Sequence, residues 1–287
     1  MLAIYKKELK SYFTSMIGYV FIAFFLVIVG IYFVVYNLIN QYANFEYVLS
    51  GVSFIFILLI PILTMRLMAE DKRQKTDQLL FTSPLTIGKI IAGKFFAVFT
   101  VFLLAMAVIC TYPLLLLQFG AVPLKMAYAS ILGFSLLGGA YIALGLFISA
   151  LTESQLVAAV ISFVAILITA LMDSLVNMLP SDNRSAFVIF AFMVILICWL
   201  IYSMIHNLTI TLGLGILAEI CLTVAYLFKA TLFDGLVSRF FSWFSVIARF
   251  DKFVSGVLDL SSVIYYISVI FIFLFITVQA IKKRRWN

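Results

Sequence analysis

The segment with the most suggestive chemistry runs from Gly88 to Lys94. It matches the G-x-x-x-x-G-K part of a phosphate-binding loop, in which backbone N–H groups and a lysine hold phosphates. Phe95 follows, however, where such a loop needs a serine or threonine to bind magnesium, and the segment opens an apolar run instead of following a strand. We therefore predict that the chain binds no nucleotide and no other cofactor directly.

Residues suited to metal binding or nucleophilic catalysis are scattered along the chain. The single histidine, His206, stands beside Asn207 without an HExxH motif or a pair of carboxylates. The three cysteines, Cys110, Cys198 and Cys221, each lie alone in an apolar run, without the spacing of a metal site. The pattern predicts no catalytic residue and no metal site, and therefore a protein that is not itself an enzyme.

Two carboxylates, Asp173 and Glu219, lie within long apolar stretches. An ionisable group inside a membrane is costly, so each is a candidate functional residue. The alternative is that each carboxyl forms a hydrogen bond to a neighbouring helix and has a structural role. The sequence leaves both interpretations open.

The composition fixes the class of protein that must position these groups. Of the 287 residues, 66% are hydrophobic and 11% are charged, which leaves too little polar surface for a water-soluble domain of this length. A helix that crosses a bilayer needs roughly 20 predominantly apolar residues, and such stretches follow one another along the chain. We predict an all-α polytopic transmembrane helical bundle that forms a single membrane domain over residues 1–287.

About eight spans are predicted, and one pair of them has an alternative. The apolar pair from Ala186 to Phe228 could instead form re-entrant helices, which would leave six full spans. The predicted spans are Ile17–Asn37, Val48–Met68, Ile90–Leu117, Ala127–Ala150, Gln155–Leu179, Ala186–Ile205, Leu208–Phe228 and Ser262–Ile281.

The basic residues predict the orientation. With this topology, 13 of the 19 Lys and Arg residues fall on the side of the two termini. Lys and Arg near span ends favour the cytoplasm, so both termini are predicted to be cytoplasmic. The net charge of +7 is thereby explained by topology, and no nucleic-acid partner is expected.

Three non-spanning segments and one turn complete the organisation. Residues 1–15 alternate apolar and lysine positions at helical spacing, which predicts an amphipathic helix in the membrane interface. Residues 66–94 contain the longest hydrophilic stretch and are predicted to form a cytoplasmic loop. Residues 229–261 are amphipathic and are predicted to lie in the outer leaflet. Glu153 stands in a short turn predicted to be cytoplasmic.

Several sequence blocks resemble those of type-2 ABC transporter permeases, especially the gliding-motility branch related to the nitrous-oxide-reductase maturation permease. The blocks are Lys6-Lys7-Glu8-Leu9, Ile17-Gly18-Tyr19, Met65-Arg66, the loop from Glu70 to Lys94, the stretch from Ala143 to Gln155, the stretch from Phe250 to Tyr266, and Arg284-Arg285-Trp286. The chain departs from the family pattern in three places. Lys75-Thr76-Asp77-Gln78 replaces Gly-Thr-x-Glu, Ser262 replaces a second acid near Asp259, and the pair from Ala186 to Phe228 is additional.

The resemblance implies a mechanism and partners. Two membrane halves, from a second copy or a homologous permease, would pair with cytoplasmic ABC ATPase subunits that bind ATP and magnesium, and the complex would act as an exporter in the bacterial cytoplasmic membrane. The cytoplasmic loop would transmit ATPase closure. Glu153 belongs to the second cytoplasmic turn, where the alternative is that it caps the following helix. The predicted coupling residues are Glu70, Asp71, Lys72, Arg73, Thr76, Leu79, Leu80 and Phe81.

Two other classes of function are kept as alternatives. A secondary transporter would be expected to show an inverted repeat with broken helices at the midplane, and the two halves of the sequence show no such correspondence. A membrane scaffold without transport would leave the amphipathic outer segment without a role. Copurification of an ATPase subunit would distinguish the permease from both alternatives.

Overall fold

The fold consists of helices alone in the part of the chain that the computed structural model describes, residues 1–76, 85–120, 122–178, 182–205, 208–228 and 233–286. The predicted all-α class is confirmed. The α-helices are α1 Leu2–Thr14, α2 Ile17–Phe33, α3 Glu46–Val52, α4 Phe56–Thr64, α5 Arg66–Arg73, α6 Ile87–Ile109, α7 Tyr112–Leu116, α8 Leu124–Leu151, α9 Gln155–Met178, α10 Asn183–Ile205, α11 Leu208–Phe228, α12 Leu236–Ser242, α13 Val246–Val254 and α14 Leu260–Trp286.

Six helical stretches within the described residues are long and apolar enough to cross a membrane, which makes the chain a polytopic helical bundle. Some combine several elements: α2 continues into a π-helix at Val34–Ile39, and α3 joins α4 through a 3₁₀ turn at Ser53–Ile55. The six stretches are Ile17–Ile39, Glu46–Arg73, Ile87–Leu116, Leu124–Leu151, Gln155–Val176 and Leu260–Lys283.

The predicted additional pair of spans forms helices α10 and α11. Helix α10 has 23 residues and helix α11 has 21, which is about the length that a bilayer crossing needs. Eight full spans, and the alternative of six spans with a re-entrant pair, both stay predictions. The turn at His206 and Asn207, on which that prediction depends, lies outside the described residues.

The chain divides into two compact units, Met1–Ala170 with Val246–Asn287, and Leu171–Ser245. The first unit is built around an aromatic core in which Phe25, Phe56, Phe102 and Phe134 come from four different helices and are almost fully buried. The ring centroids of Phe56 and Phe134 lie 4.5 Å apart, and Phe25 contacts the other three rings at 5.9 to 6.4 Å. Offset aromatic contacts of this kind add to the free energy gained by burial alone.

Helix α8 lies at the centre of the first unit because small residues let its neighbours approach closely. A Cβ atom added at Gly138 would lie 2.5 Å from the Phe102 ring, and one added at Gly133 would lie 2.5 Å from the Phe253 ring. A Cβ atom at Gly145 would overlap the Thr64 side chain. These glycines therefore determine how closely the aromatic side chains can pack against α8.

The second unit has a smaller core of its own. Its buried residues are Ala186 of α10, Val237 of α12, and Phe233, which precedes α12. The Phe233 ring contacts the Tyr226 ring of α11 edge-to-face at 5.5 Å. The predicted amphipathic segment 229–261 thus contains two separate helices, of which α12 belongs to the second unit and α13 to the first.

We expect a Gly145→Ala substitution to destabilise the protein, because the added methyl group overpacks the contact with Thr64 and typically costs about 1–3 kcal/mol. Gly213→Ala is the matched control, since a Cβ atom there meets nothing within 4 Å and alanine favours a helix interior. Thermal unfolding of the detergent-solubilised protein should show a lower Tm for the first variant and an unchanged or higher Tm for the second. Equal Tm values would contradict the close approach of α4 and α8.

Candidate functional site

The candidate site is a buried ionic cluster at one end of the bundle, centred on Lys94 in the second turn of α6. The Lys94 side chain is 1% exposed. Its Nζ atom lies 2.8 Å from Glu8 Oε1 of α1 and 2.6 Å from Asp71 Oδ2 of α5. It also donates to the backbone carbonyl of Leu67 at 2.7 Å. The ammonium group therefore donates to Glu8 and to the Leu67 carbonyl and forms an ion pair with Asp71, so that three helices meet at one cation.

Burial makes this ion pair sensitive to the loss of any member. The Glu8 and Asp71 side chains are each only 13% exposed. A buried charge is tolerated when it is paired and hydrogen-bonded, whereas removal of one partner leaves the other charge uncompensated in a medium of low polarity. The cluster therefore holds α1, α5 and α6 in one arrangement.

A second cation, Arg66, joins α1 to α5 beside this cluster. Its Nε atom pairs with Glu70 Oε2 at 2.9 Å. Its Nη1 and Nη2 atoms donate to the hydroxyls of Ser15 and Ser11 at 3.0 and 3.3 Å. The guanidinium also lies 5.6 Å from the centroid of the Tyr12 ring, within cation–π range. Arg66 thus uses the planar, multiple-donor geometry that lysine lacks.

Tyr12 adds a polar contact between α1 and the end of α4. Its hydroxyl donates to the backbone carbonyl of Leu63 at 2.8 Å. Burial, followed by the nearby Glu8 carboxylate, raises the pKa of Tyr12 above its ordinary value. The phenol therefore remains protonated and keeps its donor hydrogen at physiological pH.

Ser149 attaches the other side of α5 to the end of α8. Its Oγ accepts hydrogen bonds from the backbone N–H groups of Met68 and Ala69 at 3.1 and 3.2 Å, and donates to the Met65 carbonyl at 2.9 Å. The first N–H groups of a helix lack partners within it, so one serine hydroxyl satisfies two of them. The Lys72 ammonium donates to the Ala150 carbonyl, which makes a second contact between α5 and the last turn of α8.

The structure brings together part of the predicted coupling set. Glu70, Asp71, Lys72 and Arg73 all lie on α5, and the Thr76 hydroxyl lies 3.1 Å from the Asp71 carboxylate just after that helix ends. Glu153 is exposed in the turn between α8 and α9. Leu79, Leu80 and Phe81 lie outside the described residues.

The intramembrane candidates belong to the second unit. Asp173 is half-buried on α9. Glu219 of α11 lines an apolar cleft of about 620 Å³ between α10 and α11, and its Oε1 atom is buried without a hydrogen-bond partner among the described residues. The described part of the chain contains no grouping of His, Cys, Asp and Glu that could hold a metal ion.

The sequence interpretation missed the residues at the centre of the cluster. Lys94 was part of an apparent phosphate-binding pattern, and Glu8, Arg66 and Ser149 were assigned no shared role. One signal was available in the sequence: Lys94 lies inside an apolar run, where an unpaired lysine would be costly. That signal indicates that a partner must exist, but hydropathy cannot say which of the distant acids supplies it.

At the other end of the bundle, Asp259 precedes α14. Its carboxylate pairs with Lys252 Nζ at 2.9 Å and accepts from the Ser261 N–H at 3.0 Å and the Ser262 hydroxyl at 3.2 Å. The hydrogen bond from Lys252, and next that from the Ser261 N–H, lower the pKa of Asp259. Where the family resemblance leads one to expect a second acid, Ser262 is a donor to the first.

These helices define a multi-pass helical membrane protein, and the buried ionic cluster around Lys94 joins three of them at one end of the bundle. Residues 35–232 match the family model described as ABC-2 family transporter protein. Because this match covers more than half of the chain, the chain belongs to the ABC-2 transporter family and is a membrane permease component of an ABC transporter. No curated protein and no solved structure matches the sequence.

We expect Lys94→Met to lower the stability of the protein by about 3–5 kcal/mol, because it leaves the Glu8 and Asp71 carboxylates buried without a counter-charge. Lys89→Met is the matched control, since Lys89 lies on the same helix but is exposed. Thermal unfolding in detergent should show a marked loss of Tm for the first variant alone. Adding Glu8→Gln and Asp71→Asn to Lys94→Met should restore part of the loss, and an absence of such rescue would contradict a charge-based cause.

Proposed function

We propose that this chain is the permease half of a bacterial ABC exporter in the cytoplasmic membrane, driven by ATP hydrolysis in a separate ATPase subunit and paired with a second copy or a homologous permease. The branch proposed is the one related to gliding motility and nitrous-oxide-reductase maturation. ABC-2 family membership supports the general class. In this proposal ATP and magnesium bind to the ATPase partner, and lipid surrounds the spans.

The observation that carries the coupling proposal is the attachment of α5 to three other helices. Lys94 connects α5 to α1 and α6, and Ser149 connects α5 to α8. A displacement applied to the end of α5 is therefore passed to three helices together, because buried polar contacts resist sliding. This is the property required of an element that converts ATPase closure into movement of the spans.

The end of α5 is also defined by its own polar contacts. The backbone N–H of Thr76 donates to the Asp71 carbonyl at 2.9 Å, and Lys75 takes the left-handed conformation with φ 56°. Such a turn ends a helix firmly. We propose that three residues of the following segment are apolar anchors for the ATPase: Leu79, Leu80 and Phe81. Four charged residues of α5 would fix the position of the ATPase relative to the permease: Glu70, Asp71, Lys72 and Arg73. Glu153 would make a second contact with the ATPase.

We expect the double substitution Leu79→Ala, Leu80→Ala to weaken ATPase binding roughly 5- to 150-fold, because the lost apolar burial amounts to about 1–3 kcal/mol. Leu114→Ala, Leu115→Ala is the matched control, since both leucines are exposed at the opposite end of the Ile87–Leu116 span. Copurification and permease-stimulated ATP hydrolysis should fall for the first variant only, with an unchanged Tm. Unchanged ATPase affinity would reject the coupling assignment and leave the amino-terminal helix as the next candidate.

We expect the two ends of the bundle to face opposite sides of the membrane, with both termini cytoplasmic. In a background with Cys110, Cys198 and Cys221 replaced by alanine, Gln74→Cys should react with an impermeant thiol reagent only after the cells are opened. Ser242→Cys should react in intact spheroplasts. Labelling of Ser242→Cys from the cytoplasm alone would contradict the topology.

A further inference from the structure

Helix α1 lies at the level where the spans end. Ile4, Glu8 and Tyr12 recur every four residues, which places them on one face of the helix. Ile4 and Tyr12 are buried, and Glu8 pairs with Lys94 in the second turn of α6. The Tyr12 hydroxyl donates to the Leu63 carbonyl, close to the point where the apolar α4 gives way to the charged α5. In a membrane this level is the boundary between hydrocarbon and headgroups, because charged residues avoid the hydrocarbon.

A second face of α1 is apolar and only partly covered by the bundle. Its members are Leu2, Leu9 and Phe13, which are spaced at seven and four residues. Leu2 is 72% exposed, whereas Leu9 and Phe13 are half-buried. The Phe13 ring contacts the Tyr19 ring edge-to-face at 5.1 Å, and Tyr19 is itself 59% exposed. Tyrosine is enriched where a membrane meets water, so this apolar stripe lies where lipid acyl chains can cover it.

Two lysines border the apolar stripe. Lys6 and Lys10 are four residues apart on α1, and both are exposed. Lys6 precedes Phe13 by seven residues, which corresponds to about 20° around a helix. Among the described residues, neither ammonium group has an ion-pair partner. The only acid of α1, Glu8, is already paired with Lys94, so the two positive charges remain uncompensated.

This edge of α1 matches the two parts of an anionic phospholipid. A lysine keeps its carbon stem along apolar surface while its ammonium group extends into polar surroundings, which brings the charge to the level of lipid phosphates. A soluble phosphate ion would pair with the ammonium groups but would leave the apolar stripe uncovered. A zwitterionic lipid would cover the stripe but would bring a positive group together with its phosphate. A lipid whose headgroup has a net negative charge satisfies both the lysines and the stripe.

We propose that the edge of α1 formed by Leu2, Lys6, Leu9, Lys10 and Phe13 binds an anionic phospholipid. The phosphate lies against the two ammonium groups, and the acyl chains cover the three apolar side chains. Such binding requires only that this end of the bundle meet a membrane surface, so it does not depend on ATP-driven transport.

A single tryptophan on the apolar stripe can report which lipid lies there. The three native tryptophans are replaced by phenylalanine, and Leu2→Trp supplies the reporter at an exposed position. The full chain is reconstituted in mixtures of phosphatidylcholine and phosphatidylglycerol in which one of the two lipids carries brominated acyl chains. Bromine quenches nearby tryptophan, so exchanging the brominated lipid gives the ratio of the two association constants at α1. Leu114→Trp is the matched reporter, because Leu114 is exposed at the opposite end of the Ile87–Leu116 span.

We expect the Leu2→Trp reporter to show a preference for phosphatidylglycerol. The double substitution Lys6→Gln, Lys10→Gln should lower this preference by up to about 5-fold per lysine, since each cation near an anionic surface contributes about 1 kcal/mol. The Leu114→Trp reporter should be insensitive to the same substitutions. Lys282→Gln, Lys283→Gln is the matched control, because it removes two exposed lysines from the end of α14 and leaves α1 unchanged.

Three results would overturn the proposal. The first is the absence of a preference for phosphatidylglycerol at Leu2→Trp before any lysine is changed. The second is an equal loss of preference for Lys282→Gln, Lys283→Gln, which would assign the effect to the general positive charge of this end of the chain. The third is a loss of ATPase copurification for Lys6→Gln, Lys10→Gln with an unchanged lipid preference, which would make the lysines an ATPase contact. The lipid measurement contains no ATPase, so its outcome is separate from that of the proposed transport function.

Discussion

The buried ammonium group of Lys94 is the constraint on which the arrangement of the amino-terminal half depends. It is buried, it donates hydrogen bonds to Glu8 of α1 and to the Leu67 carbonyl of α5, and it forms an ion pair with Asp71 of α5, while the lysine itself belongs to a third helix. The two carboxylates cannot be buried without it, and it cannot be buried without them. Every element that approaches this end of the bundle must therefore do so in a geometry that keeps the cation satisfied.

Apolar packing and polar contacts make different contributions to the structure of the first unit. The phenylalanine core of Phe25, Phe56, Phe102 and Phe134 and the glycines of α8 set how closely the helices pack, but apolar contacts alone permit sliding and rotation. The hydrogen bonds of Ser149 and the ion pairs of Lys94 restrict the sliding and rotation of the helices, because each contact requires a particular atom at a particular distance.

The sequence predicted the helices and spans better than it predicted the side-chain contacts between them. Helix α1, the six spans and the charged segment at the end of the second span all follow from hydropathy and periodicity, because these depend on residues that are close in the chain. The pairing of Glu8 with Lys94 joins residues 86 positions apart, a contact that apolar spacing does not reveal. Whether the additional pair crosses the membrane fully or forms re-entrant helices could not be predicted for a related reason. A deep hairpin and two full crossings have the same length and apolarity.

The separation between Glu8 and Lys94 also has a consequence for how the chain is made. Translation at roughly 5–20 residues per second would deliver the lysine roughly 4 to 17 s after the glutamate. During that interval the first two spans must enter the bilayer while α1 still lacks its final partner. Helix α1 is therefore synthesised before its partner Lys94, and its docking at this end of the bundle must wait until the third span has been inserted.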